Sequence, residues 1–379
     1  MDITAQELNR ATLGRQLLLG REALGAGEAV RRVVALQAQH AASPYVALWN
    51  RLAGFAPEEL DVAFAERAVV KATLMRITLH AVHGDDYQVF REAMQQTLYA
   101  SRLGYRFAAA GLTPADGEAL VPELLDFADR PRTAAEAQDW LAERVGAEKM
   151  AGAWWGLKAY APLLHVPTGG PWSFGVRSSF VAARTGPVPR GRAPVPEALR
   201  HLVLRYLGGF GPASVADVAQ FVMVPRAPVR QALSALGDEV EQLRGPEGTL
   251  LYDVPGASRP PADTPAPPRL MAMWDSVLLA HADRSRVIPP AYRRLVIRVN
   301  GDVLPTLLID GRVAGVWRAV DGGVEATAFH DLPTTVWDAL AAEAASLMAL
   351  LADRDTEVYR RYHHWWPKLP AGQVRLLRG

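Results

Sequence analysis

A mainly helical α+β chain is predicted, built as three successive units of three helices and a two-stranded ribbon and closed by a β-rich region. Three observations predict it. A Ser or Thr followed three residues later by an acid recurs at Thr113-Pro114-Ala115-Asp116, Thr133-Ala134-Ala135-Glu136 and Ser214-Val215-Ala216-Asp217. That pairing satisfies backbone N–H groups that a helix start leaves free. Residues 69–82 are rich in β-branched residues and alternate as strands do. Near the C-terminus, Asn300-Gly301 and Asp310-Gly311 separate strand-like runs and read as type I′ hairpin turns, whose two central residues need positive φ. The units are placed at residues 1–105, 106–190 and 191–265, and the β-rich region at 266–379.

In order, Leu8 to Leu19 is read as a first helix and Glu28 to Gln37 as a second, with Val30, Val33, Val34 and Leu36 on its apolar stripe. Ser43-Pro44 then marks a break, since a proline biases the residue before it away from helical geometry. Pro57 to Arg67 is a third helix with proline in its first turn. Val69 to Val82 supplies the ribbon. The second unit has helices starting at Thr113 and Thr133, a third at Met150 to Tyr160, and a ribbon at Leu163 to Ala183 broken by Gly169-Gly170-Pro171. Pro187 to Pro196 is a linker. The third unit has helices Pro196 to Leu207, one capped by Ser214, and Arg226 to Leu236, then strands Val240 to Leu243 and Thr249 to Val254. Arg259 to Pro268 is a second linker. Strands are expected at Leu295 to Val299, Val303 to Ile309 and Val313 to Trp317, a helix at Thr334 to Leu351, and His363-His364-Trp365-Trp366-Pro367 closes the fold. Three helices followed by a ribbon is the order of a winged helix, so tandem winged-helix units (each a helix-turn-helix with its wing) are the expected architecture.

The chain has 379 residues and a net charge of +1, which predicts no strong overall attraction to nucleic acid but leaves room for a local basic face. All but four of its 41 basic residues are arginine, the lysines being Lys71, Lys149, Lys158 and Lys368, so few amines are available for Schiff-base chemistry. With no cysteine, disulfides, thiol nucleophiles and the usual structural zinc ligands are excluded. Neither a secretory signal nor an uninterrupted apolar run of membrane-spanning length is read, and a bacterial cytoplasmic protein is expected.

Gln37-Ala38-Gln39 stands where the second helix is read to run out. Two glutamines two apart diverge on a helix and share one side of an extended segment. A side-chain amide offers an acceptor and two donors and so holds a water without ionising. The plainer reading is a solvated helix end. Arg76 and His80 lie on the ribbon expected beside Gln37; there they either meet DNA, or are satisfied by an acid and by burial. Asp275 is either a functional anion or the start of an Asx turn. Arg284, Arg286, Arg293, Arg294 and Arg298 form a basic run before Asn300-Gly301, a solvated face or a phosphate-binding strip. His363-His364 has no evident third ligand and is read as docking the tail rather than holding a metal.

Several segments together resemble a winged-helix family that includes the AlkZ-type DNA glycosylases. They are Leu8-Asn9-Arg10-Ala11, Leu36-Gln37-Ala38-Gln39, Ser43-Pro44-Tyr45, Thr73 through His80, Trp274-Asp275-Ser276, Asp283 through Val287, and Pro305 through Arg312. The resemblance implies a C-shaped protein of tandem winged helices that excises bulky N-alkylated purines such as N7-alkylguanine. It extends to unhooking interstrand crosslinks, as self-resistance to a DNA-alkylating natural product. The family signature is Gln-Φ-Gln or Gln-Φ-Asp, Φ being apolar, and Gln37-Ala38-Gln39 matches the first form. Gln37 and Gln39 are thereby the expected catalytic pair. Arg76, His80, Arg284, Arg286, Arg293, Arg294, Asn300, Gly301 and Arg312 are the expected DNA contacts. The partner is double-stranded DNA carrying alkylated purines or crosslinks, met by a monomeric, monofunctional enzyme at the nucleoid, with no metal, cofactor or membrane. The chemistry is coherent: alkylation at N7 makes the purine a cationic leaving group, so no general acid is needed, and what remains is to place a water against an oxocarbenium-like centre. The alternatives are a winged-helix transcription regulator, a non-catalytic damage-binding protein, or an unrelated enzyme on a reused fold.

Overall fold

The first helix begins where Thr4 Oγ1 accepts from the Glu7 N–H while the Glu7 carboxylate accepts from Thr4 N. This capping box places α1 at Ala5–Arg15, earlier than Leu8 to Leu19. The computed structural model describes residues 2–184, 196–370 and 372–378; about 50% is helical and 17% strand, the mainly helical α+β composition predicted. Helix α2 is Ala26–Arg32, shorter than expected. Val34 takes φ 74°, outside any helix, and Leu36–Gln37 becomes strand β1. Gln37 is therefore on an extended segment, not at a helix end. The break read at Ser43-Pro44 is instead the start of α3, Ser43–Arg51. Its proline sits in the first turn, where a missing N–H costs no intrahelical bond. Pro57 opens α4 (Pro57–Ala65) as read.

Strands β2 (Val69–Thr73) and β3 (Leu79–His83) form the expected antiparallel ribbon. Three unpredicted helices follow, α5 (Gly84–Ala93), α6 (Gln95–Arg102) and α7 (Tyr105–Ala109). None begins with a Ser or Thr paired to a following acid, the signal read at Thr113, Thr133 and Ser214. Helix α8 (Pro114–Phe127), strand β4 (Arg132–Thr133) and helices α9 (Ala134–Val145) and α10 (Ala147–Tyr160) lead to strands β5 (Leu163–Val166) and β6 (Ser179–Ala182). The capping boxes at Thr113 and Thr133 are both made. Strands from the first two units join in one sheet of order β1-β3-β2-β5-β6-β4.

Most of the linker Pro187 to Pro196 lies outside the described residues. Helices α11 (Pro196–Phe210), α12 (Val215–Val222) and α13 (Arg226–Leu236) are followed by the pair β7 (Glu241–Arg244) and β8 (Leu250–Asp253), close to expectation. Ser214 and Asp217 complete the capping box of α12.

The C-terminal region starts at β9 (Arg269–Leu270) and departs most from its reading. Leu295 to Val299 is not a strand: α14 occupies Arg293–Val296, and only Ile297 bridges to Val303. At Asn300-Gly301 only Gly301 has positive φ (88°), and the Arg298 N–H bonds to the Asp302 carbonyl, so a loop stands where a type I′ hairpin was expected. Asp310 (φ 46°) and Gly311 (φ 75°) do form the turn between β10 (Thr306–Ile309) and β11 (Arg312–Val320). A Cβ on Gly311 would lie 2.5 Å from Asn9 Oδ1, so glycine is required there twice over. With β12 (Gly323–Ala328) and an unpredicted edge strand β13 (Gln373–Leu377) these complete a sheet of order β13-β12-β11-β10-β9. The His363 to Pro367 segment lies in a 3-10 helix, Arg360–Lys368, with Tyr362, Trp365 and Trp366 buried. It docks, but the chain continues past it to β13. Helix α15 (Thr334–Ala352) is long and apolar enough by composition to cross a membrane. Its Trp337, Leu340, Ala344, Leu347 and Leu351 bury along one stripe at three- and four-residue spacing, the pattern of a helix packed on a sheet.

Two large hydrophobic cores result, with a small third one of Ile3, Leu8, Leu243 and Leu251. The first large core unites α1 to α4 with the C-terminal sheet, and the second is built mainly from α5 to α13. Leu36 and Ala38 belong to the first and Val34 and Ala35 to the second. Strand β1 is the seam.

Candidate active site

Directly paired residues of antiparallel strands share a sheet face. Gln37 pairs with His80 and His80 with Ala72, whereas Leu36 pairs with Ala81 and Ala81 with Lys71. Gln37 therefore faces one side with His80, and Lys71 the other; Gln39, two residues on, lies past the strand in a bend. The strand is held there by the Ala38 N–H donating to the Leu79 carbonyl (2.8 Å) and by Ser276 Oγ donating to the Ala35 carbonyl (2.8 Å). Behind Ser276, Asp275 makes a bidentate ion pair with Arg51 (2.7 and 2.8 Å), both side chains fully buried, and accepts from the Val277 N–H. The Asx reading of Asp275 is thus realised, inside a buried ion pair.

Gln37 is 5% exposed, and its Oε1 accepts from Arg76 Nη2 at 2.5 Å. Arg76 sits in the β2–β3 turn with φ 52° and lies over the Phe221 ring. No carboxylate pairs with it among the described residues, and its Nη1 is sealed from solvent without a partner. Burial, with the nearby Arg284 charge, pushes its pKa down to about 9. His80 Nδ1 lies 3.1 Å from the Thr78 carbonyl, an acceptor, so that nitrogen carries the hydrogen. Its Nε2, 3.3 Å from Arg76 Nη2, is then the acceptor. Burial and the Arg76 charge push His80 down to about 3, so it is a neutral imidazole. Gln39 is exposed, and its Oε1 accepts a long bond from Leu79 N (3.4 Å).

Of the remaining predicted residues, Arg284, Arg293 and Arg294 come together around a cavity of about 300 Å³. Arg284 lies close enough to both Arg76 and Arg293 to perturb or be perturbed electrostatically, which links that cavity to the glutamines. Arg286 is occupied by Thr12 Oγ1 (3.2 Å) and the Pro212 carbonyl (2.9 Å), and Arg312 by the Ser285 carbonyl (3.0 Å) and Gln6 (3.1 Å). Asn300 and Gly301 are exposed at a loop pinned from beneath: Trp274 Nε1 donates to the Gly301 carbonyl and Trp365 Nε1 to Asp302, both at 2.9 Å.

Sequence reasoning missed four neighbours. His40 packs edge-on to Tyr359 (4.9 Å), accepts from the Ala42 N–H, and is pushed down to about 4 chiefly by burial. Tyr359 also meets Ser43 Oγ at 3.1 Å, joining residues far apart in sequence. Lys71, over the Phe174 ring, is pushed down to about 8 by burial. Fully exposed Val299 beside Asn300 is the fourth, and its signal was visible as an apolar residue in a polar turn. No cluster that would hold a metal occurs among the described residues.

The two site histidines set a pH dependence. Their folded pKa values, about 3 and 4, lie below the unfolded value near 6.5, so the unfolded chain takes up protons first. The stability they support is complete above about pH 6.5 and is lost as pH falls toward 4. Together they should cost on the order of 3 kcal/mol by pH 5, read as a falling Tm in a pH series. A flat Tm between pH 6.5 and 5 would contradict their burial.

A family described as DNA glycosylase AlkZ-like matches residues 30–350. An interstrand DNA cross-link repair glycosylase of Streptomyces sahachiroi is 27% identical over 351 residues, covering 87% of this chain and 92% of its own. The solved structure of the Streptomyces sahachiroi DNA glycosylase AlkZ superposes with a TM-score of 0.79 at 23% identity, covering 93% of this chain and 98% of that one. The family match spans most of the chain, including the Gln37–Gln39 segment, Arg76 and the basic cavity: this protein belongs to the AlkZ-like DNA glycosylases.

Proposed function

We propose that this chain is a monofunctional glycosylase that hydrolyses the N-glycosidic bond of bulky N7-alkylated purines in duplex DNA. In keeping with the name of its Streptomyces relative, this extends to interstrand crosslinks. Self-resistance to an alkylating natural product belongs to the same proposal. The observation that carries the reading is Gln37 on the strand β1 and exposed Gln39 in the bend two residues on, with neutral His80 beside Gln37 and no carboxylate bonded to the pair among the described residues. Such a site orients a water and offers no acid, which suits a leaving group that is already cationic. The glycosidic electron pair departs with the purine and cancels its charge; the water's proton passes to solvent. DNA is read as lying along Arg284, Arg293 and Arg294, with Arg286 and Arg312 bracing that surface, and Val299, Asn300 and Gly301 as the probe of the minor groove. The tandem winged-helix, C-shaped reading, the division at residues 105, 190 and 265, the monomeric state and action at the bacterial nucleoid belong to the same proposal.

The direct test incubates the protein with a duplex carrying one N7-alkylguanine and measures abasic sites by alkaline strand scission. A regulator or passive damage binder produces none however tightly it binds. Because Lys71 faces away from Gln37, borohydride should trap no protein–DNA adduct during turnover; a trapped adduct would replace the water with an amine nucleophile. Arg293→Ala and Arg294→Ala should weaken binding to all sequences alike and lower the salt-dependence slope by about one per lost phosphate contact. An unchanged slope would move the DNA off this surface.

A further inference from the structure

The Arg76 bond gives the two glutamines different orientations and, with them, different chemistry. A guanidinium is only ever a donor, so the Gln37 amide must turn its oxygen inward to Arg76 and its NH₂ outward. No protein acceptor is bonded to that NH₂ among the described residues, nor is it sealed from solvent. The Gln39 oxygen has only a long contact to Leu79 N and keeps a free lone pair at the surface. The surroundings of Gln37 are cationic: among the described residues Arg76 has no carboxylate partner, the Arg284 charge is near it, and Nη1 of Arg76 and Nε of Arg284 are both buried without a partner. A bare guanidinium near the reacting sugar would oppose an oxocarbenium-like transition state. An anion seated on it reverses that sign.

We infer that Gln37 donates its outward NH₂ to a backbone phosphate oxygen flanking the lesion, that Arg76 is the residue positioning it to do so, and that Gln39 alone accepts from the attacking water. DNA thereby supplies the negative charge that the protein's own site lacks. The inference rests on the glycosylase reading and assigns the site its partners.

The test compares single-turnover excision rates and DNA affinities on the N7-alkylguanine duplex, repeated with an uncharged methylphosphonate at each flanking phosphate in turn. Gln37→Glu still accepts from Arg76, and forms an ion pair that keeps the fold, but offers no donor; it should be as slow as Gln37→Met, by about 100-fold. Gln39→Glu retains an acceptor and should excise about tenfold faster than Gln37→Glu. One methylphosphonate should slow the wild type by about tenfold yet barely affect Gln37→Met, because it takes the charge from the oxygen that Gln37 meets and so weakens a hydrogen bond that Gln37→Met has already lost. Arg76→Lys should recover part of the rate lost in Arg76→Met, with affinity changing less than rate. Gln37→Glu excising at the wild-type rate, or a methylphosphonate effect equal in wild type and Gln37→Met, overturns the inference. Should a variant not fold, the effect of methylphosphonate on the wild type decides: no effect at either phosphate overturns it too. Absence of abasic sites with wild type on unmodified backbone defeats the glycosylase reading itself, which separates the two failures.

Discussion

Gln37→Ala and Gln39→Ala are each expected to slow excision by about 10²- to 10³-fold while leaving DNA affinity nearly intact. Groups that act on the water or the developing charge contribute to the transition state and little to ground-state binding. The two should differ in stability. Gln39 is exposed with one long hydrogen bond, so its truncation should leave the folded state within about 0.5 kcal/mol. Gln37→Ala strips Arg76 Nη2 of its amide acceptor at a buried position and should cost about 1–3 kcal/mol. Single-turnover rates, affinity and urea unfolding measured on the same preparations check this. Wild-type rates in both single variants and the double would reduce the pair to a solvated strand end.

Asp275→Ala is expected to destabilise the fold by about 3–5 kcal/mol, because it leaves the Arg51 guanidinium buried and unpaired. The same change removes the acceptor for the Val277 N–H, at the turn from which Ser276 reaches the Ala35 carbonyl. Excision should fall with it through a loosened β1, and rate and stability should fall together. Replacing both partners, as Arg51→Met with Asp275→Leu, should recover much of the loss, since the cost lies in the orphaned charge rather than in the missing attraction. A loss below about 1 kcal/mol in the single variant would mean that water reaches Arg51 and that the ion pair does not hold the strand.

What could be read from the residues alone was whatever is satisfied within a few positions along the chain. The capping boxes at Thr113, Thr133 and Ser214 close over three residues and the Asp310-Gly311 turn over two, so each was satisfied locally. The alternation of residues 69–82 and the stripe of α15 likewise needed only a core to face. The glutamine pair was legible as residues, through its motif, and not as geometry. Its helix ended at Arg32 instead, because the 34–38 segment is shared between two cores and pairs with β3, more than 40 positions on. Asn300-Gly301 carried the same turn signal as Asp310-Gly311 and formed no hairpin: α14 precedes it, and Trp274 and Trp365 hold the loop from residues far away. Strand β13, whose Val374 and Leu376 are exposed, gained its state only from pairing with β12. The link between Arg76 and Gln37 spans 39 positions, and the one between Arg51 and Asp275 spans 224. Sequence decided which side chains bring amides and charges; only burial and pairing across the fold decided that one amide oxygen faces an arginine and that the strand carrying it cannot move.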